Sequence, residues 1–365
     1  MKEEITIIIP SHERHHLLLR AIDYYSELDF LILIVDSSKV FLNVKLPWNI
    51  TYLHLPGSFF GDKIYSGLCK VSTPYSCLCA DDDFLSESGL YFGIRYLEEN
   101  KDYASVQGNY VHFEYDNGLV NYHPVYAETI GIKDVSSNNP IDRLMKSIGM
   151  GHSLIYALHH TETLQECLKT VLDMRAVSFV EKGISIISPL HGKHIILPIF
   201  WMARDKERYS EYFSEKGGSY VKNINNKSEK ISDLNMVIDD FNGYLNTDKG
   251  IQFRKNFINS TINILHDSSV CDKLFDRYFI NISLNRVKLH KRVAEHYLKT
   301  AIKKSMPSAI LSFYYKKINT KEKIAEKQRN QFIDSLGYPW SNDEVRYDWK
   351  KMKSVILEHG DLTKR

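Results

Sequence analysis

The sequence predicts an α/β chain, a sheet with helices on its faces, followed by a helical C-terminal extension. Strand-sized β-branched and leucine-rich runs recur in the first hundred residues, and stretches of helical period separate them. After a polar stretch at 214–232, the remaining apolar periodicity is helical. Residues 5–9 are β-branched and closed by Pro10, which cannot continue a ladder, so they read as a buried parallel strand. Leu17, Leu18, Ala21, Ile22 and Tyr25 then recur at helical spacing. Residues 31–35 form a second buried strand ending at Asp36, and 50–56 alternate as a third. Residues 61–70 read as a helix, 74–83 as a strand running into acid, and 89–100 as another helix.

The aromatic-rich segment 103–126 carries Asp116-Asn117-Gly118 and predicts a hairpin. Residues 140–147 are helical in pattern, 152–158 read as a strand, and 161–173 as a helix with Thr161 as its cap. Ser341 with Glu344 makes a capping box for a last helix ending near Gly360. The expected organisation is a catalytic domain over 1–213, a linker over 214–232 and a mainly helical region over 233–365.

Bulk properties bound the reading. The 365 residues, 43% apolar and 12% aromatic, suffice for a sizeable core. A net charge of +2 rules out neither nucleic acid nor membrane, and gives no overall electrostatic reason to expect either. No apolar run approaches the roughly 20 residues of a membrane helix, and Lys2, Glu3 and Glu4 lead into a strand rather than a signal peptide. Five scattered cysteines suggest reduced thiols and a cytoplasmic setting, with Cys77 and Cys79 as core residues.

Two motifs mislead. His12-Glu13-Arg14-His15-His16 fits H-E-x-x-H, but zinc needs both histidines on one continuous helix, and Pro10 closes a strand just before His12. Gly149-Met150-Gly151 lacks the third glycine of a dinucleotide fingerprint. Asp81-Asp82-Asp83 is different. Adjacent carboxylates after a buried strand raise one another's pKa, and a hard divalent cation, Mn²⁺ or Mg²⁺, would remove that cost.

Taken in order, "ITIIIPSHERHHLLLRAIDYY", "LILIVDSS" and "KVSTPYSCLCADDDF" resemble the N-terminal half of a GT-A glycosyltransferase similar to family 2, over roughly 4–205. The resemblance implies a Rossmann-like mixed sheet flanked by helices. It implies an inverting transfer from a nucleotide-sugar donor to a glycan or lipid-linked hydroxyl, in bacterial surface polysaccharide assembly. By the same resemblance Pro10, Ser11, Glu13 and Arg14 form the nucleotide-binding turn, Asp36 contacts the base, and Lys63 approaches the nucleotide. Asp81 and Asp83 form D-x-D, with Asp82 between them and Asp83 as the direct metal ligand. Ala80 stands where the commoner D-x-D-D pattern has its first acid.

Further along, His159 and His160 replace a basic pair on the acceptor side. Glu181 is the candidate base, with His152 and Asp142 in reserve, because inversion needs a carboxylate to take the acceptor's proton. Arg204 or Lys206 would add a cation at the leaving group. Residues 286–329 hold 13 Lys/Arg against 3 Glu. That excess suits solvated helix faces or contact with the inner face of the plasma membrane. A sugar-1-phosphate nucleotidyltransferase and a non-catalytic nucleotide- or sugar-binding protein stay open as alternatives.

Overall fold

The computed structural model describes residues 4–116, 119–124, 133–150, 153–172, 177–205, 248–276 and 343–360. In chain order the N-terminal part runs β1 (Ile5–Ser11), α1 (His15–Ser26), β2 (Leu31–Asp36), β3 (Ile50–His54) and α2 (Phe60–Leu68). It continues through β4 (Tyr75–Leu78), β5 (Phe84–Leu85), α3 (Glu87–Glu99), β6 (Tyr103–Asp116), β7 (Leu119–Pro124) and β8 (Lys133–Val135). Then come α4 (Pro140–Met150), β9 (Leu158–His160), α5 (Thr161–Thr170), α6 (Val177–His191) and β10 (Lys193–Asp205). The C-terminal helices are α7 (Asp248–Leu265), α8 (Ser268–Phe275) and α9 (Asp343–His359).

The expected mixed α/β architecture is present: one ten-stranded sheet in the order β3-β2-β1-β4-β9-β6-β10-β5, with β7 on β6 and β8 on β10. β1 pairs in parallel with β2 on one side and β4 on the other. Both faces of this central strand are covered by the core, so Ile5, Ile7, Ile8 and Ile9 are all buried. This explains a continuous apolar run rather than an alternating one. The register sets Ser11 beside Asp36 at the carboxyl edge.

Cys77 and Cys79 are buried free thiols in the core, as expected. The predicted hairpin forms between β6 and β7, from Val111 opposite Pro124 to Asp116 opposite Leu119; Asn117 and Gly118 lie outside the described residues.

Three local expectations differ. The apolar run after His152 is not a strand; Leu154, Ile155 and Ala157 are buried in a turn, and only 158–160 join the sheet. Side chains serve that turn's backbone: Ser185 Oγ accepts from Leu154 N at 3.0 Å, and Trp201 Nε1 donates to Tyr156 O at 2.9 Å. A buried turn satisfied in this way has the same apolar signature as a strand. Thr161 does not cap α5; its Oγ1 donates to Thr73 O at 2.7 Å and ties the helix to β4. β1 does not stop at Pro10, which lies opposite Val35 in the ladder, and Ser11 follows opposite Asp36. Glu181 lies in the second turn of α6.

α9 packs across α1 and α3. Asp348 accepts from Ser86 Oγ (2.6 Å), Ser88 Oγ (2.7 Å) and Ser88 N (3.1 Å), and Trp349 stacks on Phe200 with centroids 4.6 Å apart. α7 reaches α5 through Thr170 Oγ1 and Ser260 Oγ at 2.7 Å. His152, Lys206, the 214–232 linker, the 286–329 basic segment and Ser341 lie outside the described residues.

Candidate active site

Chain connections diverge at β1: the chain passes to β2 and β3 on one side and returns to β4 on the other. Such a switch point leaves a crevice at the carboxyl ends of the strands. Ser11 ends β1 there, and Asp81, Asp82 and Asp83 follow β4.

Ser11 Oγ donates to Asp81 Oδ2 at 2.7 Å. Arg14, just before α1, donates to Asp81 Oδ1 through Nη2 and to Asp82 Oδ2 through Nη1, the latter at 2.8 Å. The turn between Ser11 and Arg14 requires Glu13 at φ +54°, a region unfavourable for a residue with a side chain. Two bonds hold it: Glu13 N donates to Ser38 Oγ at 2.6 Å, and Glu13 Oε1 accepts from Lys39 N at 2.8 Å. This turn also disposes of zinc. α1 begins only at His15; His12 sits before it, its Nδ1 3.1 Å from Ser37 O, while His15 Nε2 is 3.0 Å from Asp36 Oδ2.

Asp36 is buried and collects four contacts. Oδ1 accepts from Ser38 N (2.9 Å) and Ser38 Oγ (2.6 Å), while Oδ2 accepts from the Tyr52 hydroxyl (2.6 Å) and faces His15. Burial alone would raise its pKa; the Ser38, Tyr52 and His15 bonds overcome that and lower it. Lys63 reaches from α2 to Ser11 O and to Ser37 Oγ (3.0 Å). Burial dominates there and pulls its pKa down to about 8.

On the other side of the acidic turn, Asp83 accepts from Arg204 Nε at 3.3 Å and from Asp205 N at 3.0 Å. Burial pushes Asp83 up to about 7, with Arg204 opposing and Asp82 adding. Asp205 in turn accepts from Arg20 Nη2 at 3.1 Å, and the same Nη2 donates to Asp82 O at 2.8 Å. Three arginines therefore face the acids of this crevice. Burial disfavours the charge on Arg14 and on Arg204, yet Asp81 and Asp82 raise the pKa of the first, and the Tyr156 phenol with Asp83 that of the second. Arg204 also lies over the Tyr156 ring at 5.0 Å. Half-buried Glu181 acts electrostatically on Arg204 and on the Tyr156 phenol, so it belongs to this side of the crevice.

The structure thus links Ser11, Glu13, Arg14, Asp36, Lys63, Asp81, Asp82, Asp83 and Arg204 through direct bonds or one shared neighbour. Pro10 supports them within β1, opposite Val35. Asp142 is exposed on α4 and bonds Ser137 at 3.4 Å, apart from the cluster. His159 is fully buried in β9 with Nδ1 2.9 Å from Ala157 O, so it presents no group to the crevice. Tyr52, Tyr156, Arg20, Ser37, Ser38 and Asp205 were not singled out from sequence. Ser37 and Ser38 follow Asp36 directly and could have been found by adjacency; Arg20 and Asp205 are 185 positions apart and carry no joint signal.

Among the described residues, no group of three or more His, Cys, Asp or Glu is arranged to hold a metal. Both oxygens of Asp81 are engaged by Arg14 and Ser11. Asp83 has the longer 3.3 Å guanidinium contact and a burial cost that a cation would relieve. It fits a cation carried largely by phosphates, which takes one or two protein carboxylates.

No family model matches the chain, and no curated protein does. Among solved structures it is similar to S. aureus TarS 1–349 in complex with UDP-GlcNAc, at TM-score 0.42 and 12% identity, covering 78% of this chain and 92% of that one. It is similar also to S. aureus TarS 1–349 in complex with UDP, at TM-score 0.41 and 12% identity, covering 78% and 91%. At these values the likeness carries no argument about activity, and the reading of the site rests on its own residues.

Proposed function

We propose that the chain is an inverting GT-A glycosyltransferase that moves a sugar from a nucleotide-sugar donor to a glycan or lipid-linked hydroxyl. One observation supports this above the others. The nucleotide-turn residues, the D-x-D acids and Arg204, read from separate segments, meet in one crevice at the switch point beside β1.

In this reading, Asp36 and the Ser11–Arg14 turn hold the nucleoside end of the donor. Lys63 and Arg14 supply positive charge along the diphosphate, which is worth more in a buried setting than in water. Asp83, and Asp81 if Arg14 withdraws, would hold Mn²⁺ or Mg²⁺; such an ion neutralises charge on the leaving diphosphate when bound. Arg204 stands beside Asp83 to stabilise the same charge. Glu181, within electrostatic reach of Arg204, takes the acceptor hydroxyl's proton as that oxygen attacks the anomeric carbon. The bond to the leaving phosphate breaks from the opposite face, which inverts the centre. A cytoplasmic enzyme of surface polysaccharide assembly suits this chemistry; no helix among the described residues is long and apolar enough to cross a membrane.

The test is thermal stabilisation by UDP, GDP, dTDP, ADP, CDP and CMP, with and without Mn²⁺. At a hundredfold excess over Kd, a real site gives about 2.7 kcal/mol. One diphosphate should stabilise the wild type, and Asp83→Ala should lose the Mn²⁺-dependent part. Silence toward every nucleotide would sink the proposal. Release of pyrophosphate during turnover would favour a nucleotidyltransferase instead. Binding without turnover, unaltered by Glu181→Gln, would favour a binding protein.

A further inference from the structure

The loop joining β2 to β3, residues 37–49, splits its apolar side chains between two directions. Leu42 and Leu46 pack against the core, whereas Val40 is 68% exposed, Phe41 56%, Val44 38% and Trp48 70%. The backbone is anchored, so these groups cannot simply fold inward. Lys39 N is bonded to Glu13, Leu42 N donates to the Tyr52 hydroxyl at 3.2 Å, and Asn49 Nδ2 donates to the carbonyls of Tyr25, Leu28 and Phe30 at 3.0–3.1 Å. Phe41 sets its ring edge-on against Tyr52 and His54, with centroids 5.1 and 5.5 Å apart, which fixes its direction while leaving more than half of it in solvent. An anchored loop that presents two large aromatic rings and two valines to solvent marks an interaction surface.

Its charge identifies the partner. Lys39 and Lys45 stand among the exposed apolar residues, and no Asp or Glu occurs from residue 37 to residue 61. Aromatic rings favour the headgroup level of a bilayer, aliphatic groups its acyl boundary, and lysines its anionic headgroups. We infer that this loop docks the protein on an anionic lipid surface, with Phe41 and Trp48 inserted and Lys39 and Lys45 over the headgroups. The loop leaves the carboxyl end of β2 after Asp36 and returns to the amino end of β3 at Asn49, so docking lays the β3 edge of the sheet along the bilayer. The inference does not depend on the activity proposed above.

The full chain is mixed with brominated phosphatidylcholine vesicles, with and without phosphatidylglycerol, and tryptophan quenching is followed. The expected result is binding to the anionic vesicles with quenching that largely disappears in Trp48→Phe. A Phe41→Ser/Trp48→Ser double variant should partition at least about tenfold more weakly, its melting curve checking that it folds. A Lys39→Glu/Lys45→Glu variant, which leaves the apolar groups in place, should lose the preference for phosphatidylglycerol. Undiminished binding in both double variants, as the 286–329 segment alone would give, overturns the inference. Absence of vesicle binding overturns it too, including the case where the loop variants instead abolish self-association between copies.

Discussion

Arg14 carries the largest burden of any single side chain in the crevice, because it compensates two adjacent carboxylates at once. Removing it leaves Asp81 buried with Ser11 as its one hydrogen-bond donor among the described residues. Arg14→Ala should therefore cost about 2–3 kcal/mol, less than for a fully buried pair since Arg14 keeps 26% side-chain exposure. A urea titration reads this directly, and an unchanged midpoint would mean that Asp81 finds other donors. His159 gives a pH signature at the same scale. Burial lowers its pKa to about 4, from the ordinary 6.5 that it regains on unfolding. Between those values the unfolded chain binds more protons than the folded one, so stability falls as pH drops from 6.5 toward 4. That contribution, roughly 3 kcal/mol, is whole above pH 6.5. His159→Gln should flatten the slope over this interval in melts recorded at a series of pH values.

At the scale of elements, α9 is fastened to α3 by a carboxylate placed where a helix attracts anions. Asp348 meets the first turn of α3, accepting from Ser88 N and from two hydroxyls, and the positive end of that helix favours it. Asp348→Ala would leave Ser86 and Ser88 buried with fewer acceptors, a loss of about 2 kcal/mol. Hydrogen exchange should show the first turn of α3 and the whole of α9 opening together; faster exchange in α9 alone would contradict the coupling. The same turn of α3 lies so close to β10 that a Cβ at Gly89 would fall 2.5 Å from the Phe200 carbonyl oxygen. That oxygen is backbone and cannot swing away, so Gly89→Ala should destabilise by about 1–3 kcal/mol despite its better helix propensity. Its measurement by thermal melting separates packing from propensity, since the two effects have opposite signs.

For the whole molecule, the sheet brings together segments that the chain keeps far apart, and ligand binding should report on that assembly. A nucleotide that bridges β1, β2 and β4 ought to raise the melting temperature of the entire sheet as one transition, measured by calorimetry, and not that of the N-terminal strands alone. The sequence by itself determined what depends on neighbours along the chain. Dominantly apolar runs of strand length announced β1 and β2, because a strand buried on both faces has no polar period. Pro10 located the end of β1 only to within a residue, since the ladder runs through it to Ser11, and the Asp81–Asp83 run located the acidic turn. Tertiary structure decided what depends on residues distant in sequence. It paired Arg14 with Asp81 and Asp82, Arg20 with Asp205, and Arg204 with Asp83, across separations of up to 185 positions. It turned the apolar run after His152 into a buried turn, because side chains of Ser185 and Trp201 were available to satisfy its backbone. It placed Glu181 inside α6, within electrostatic reach of Arg204. The physical reason is common to all three. Local pattern records which face of an element is dry, whereas the partner of a buried charge or amide is fixed only when the sheet closes and water is gone.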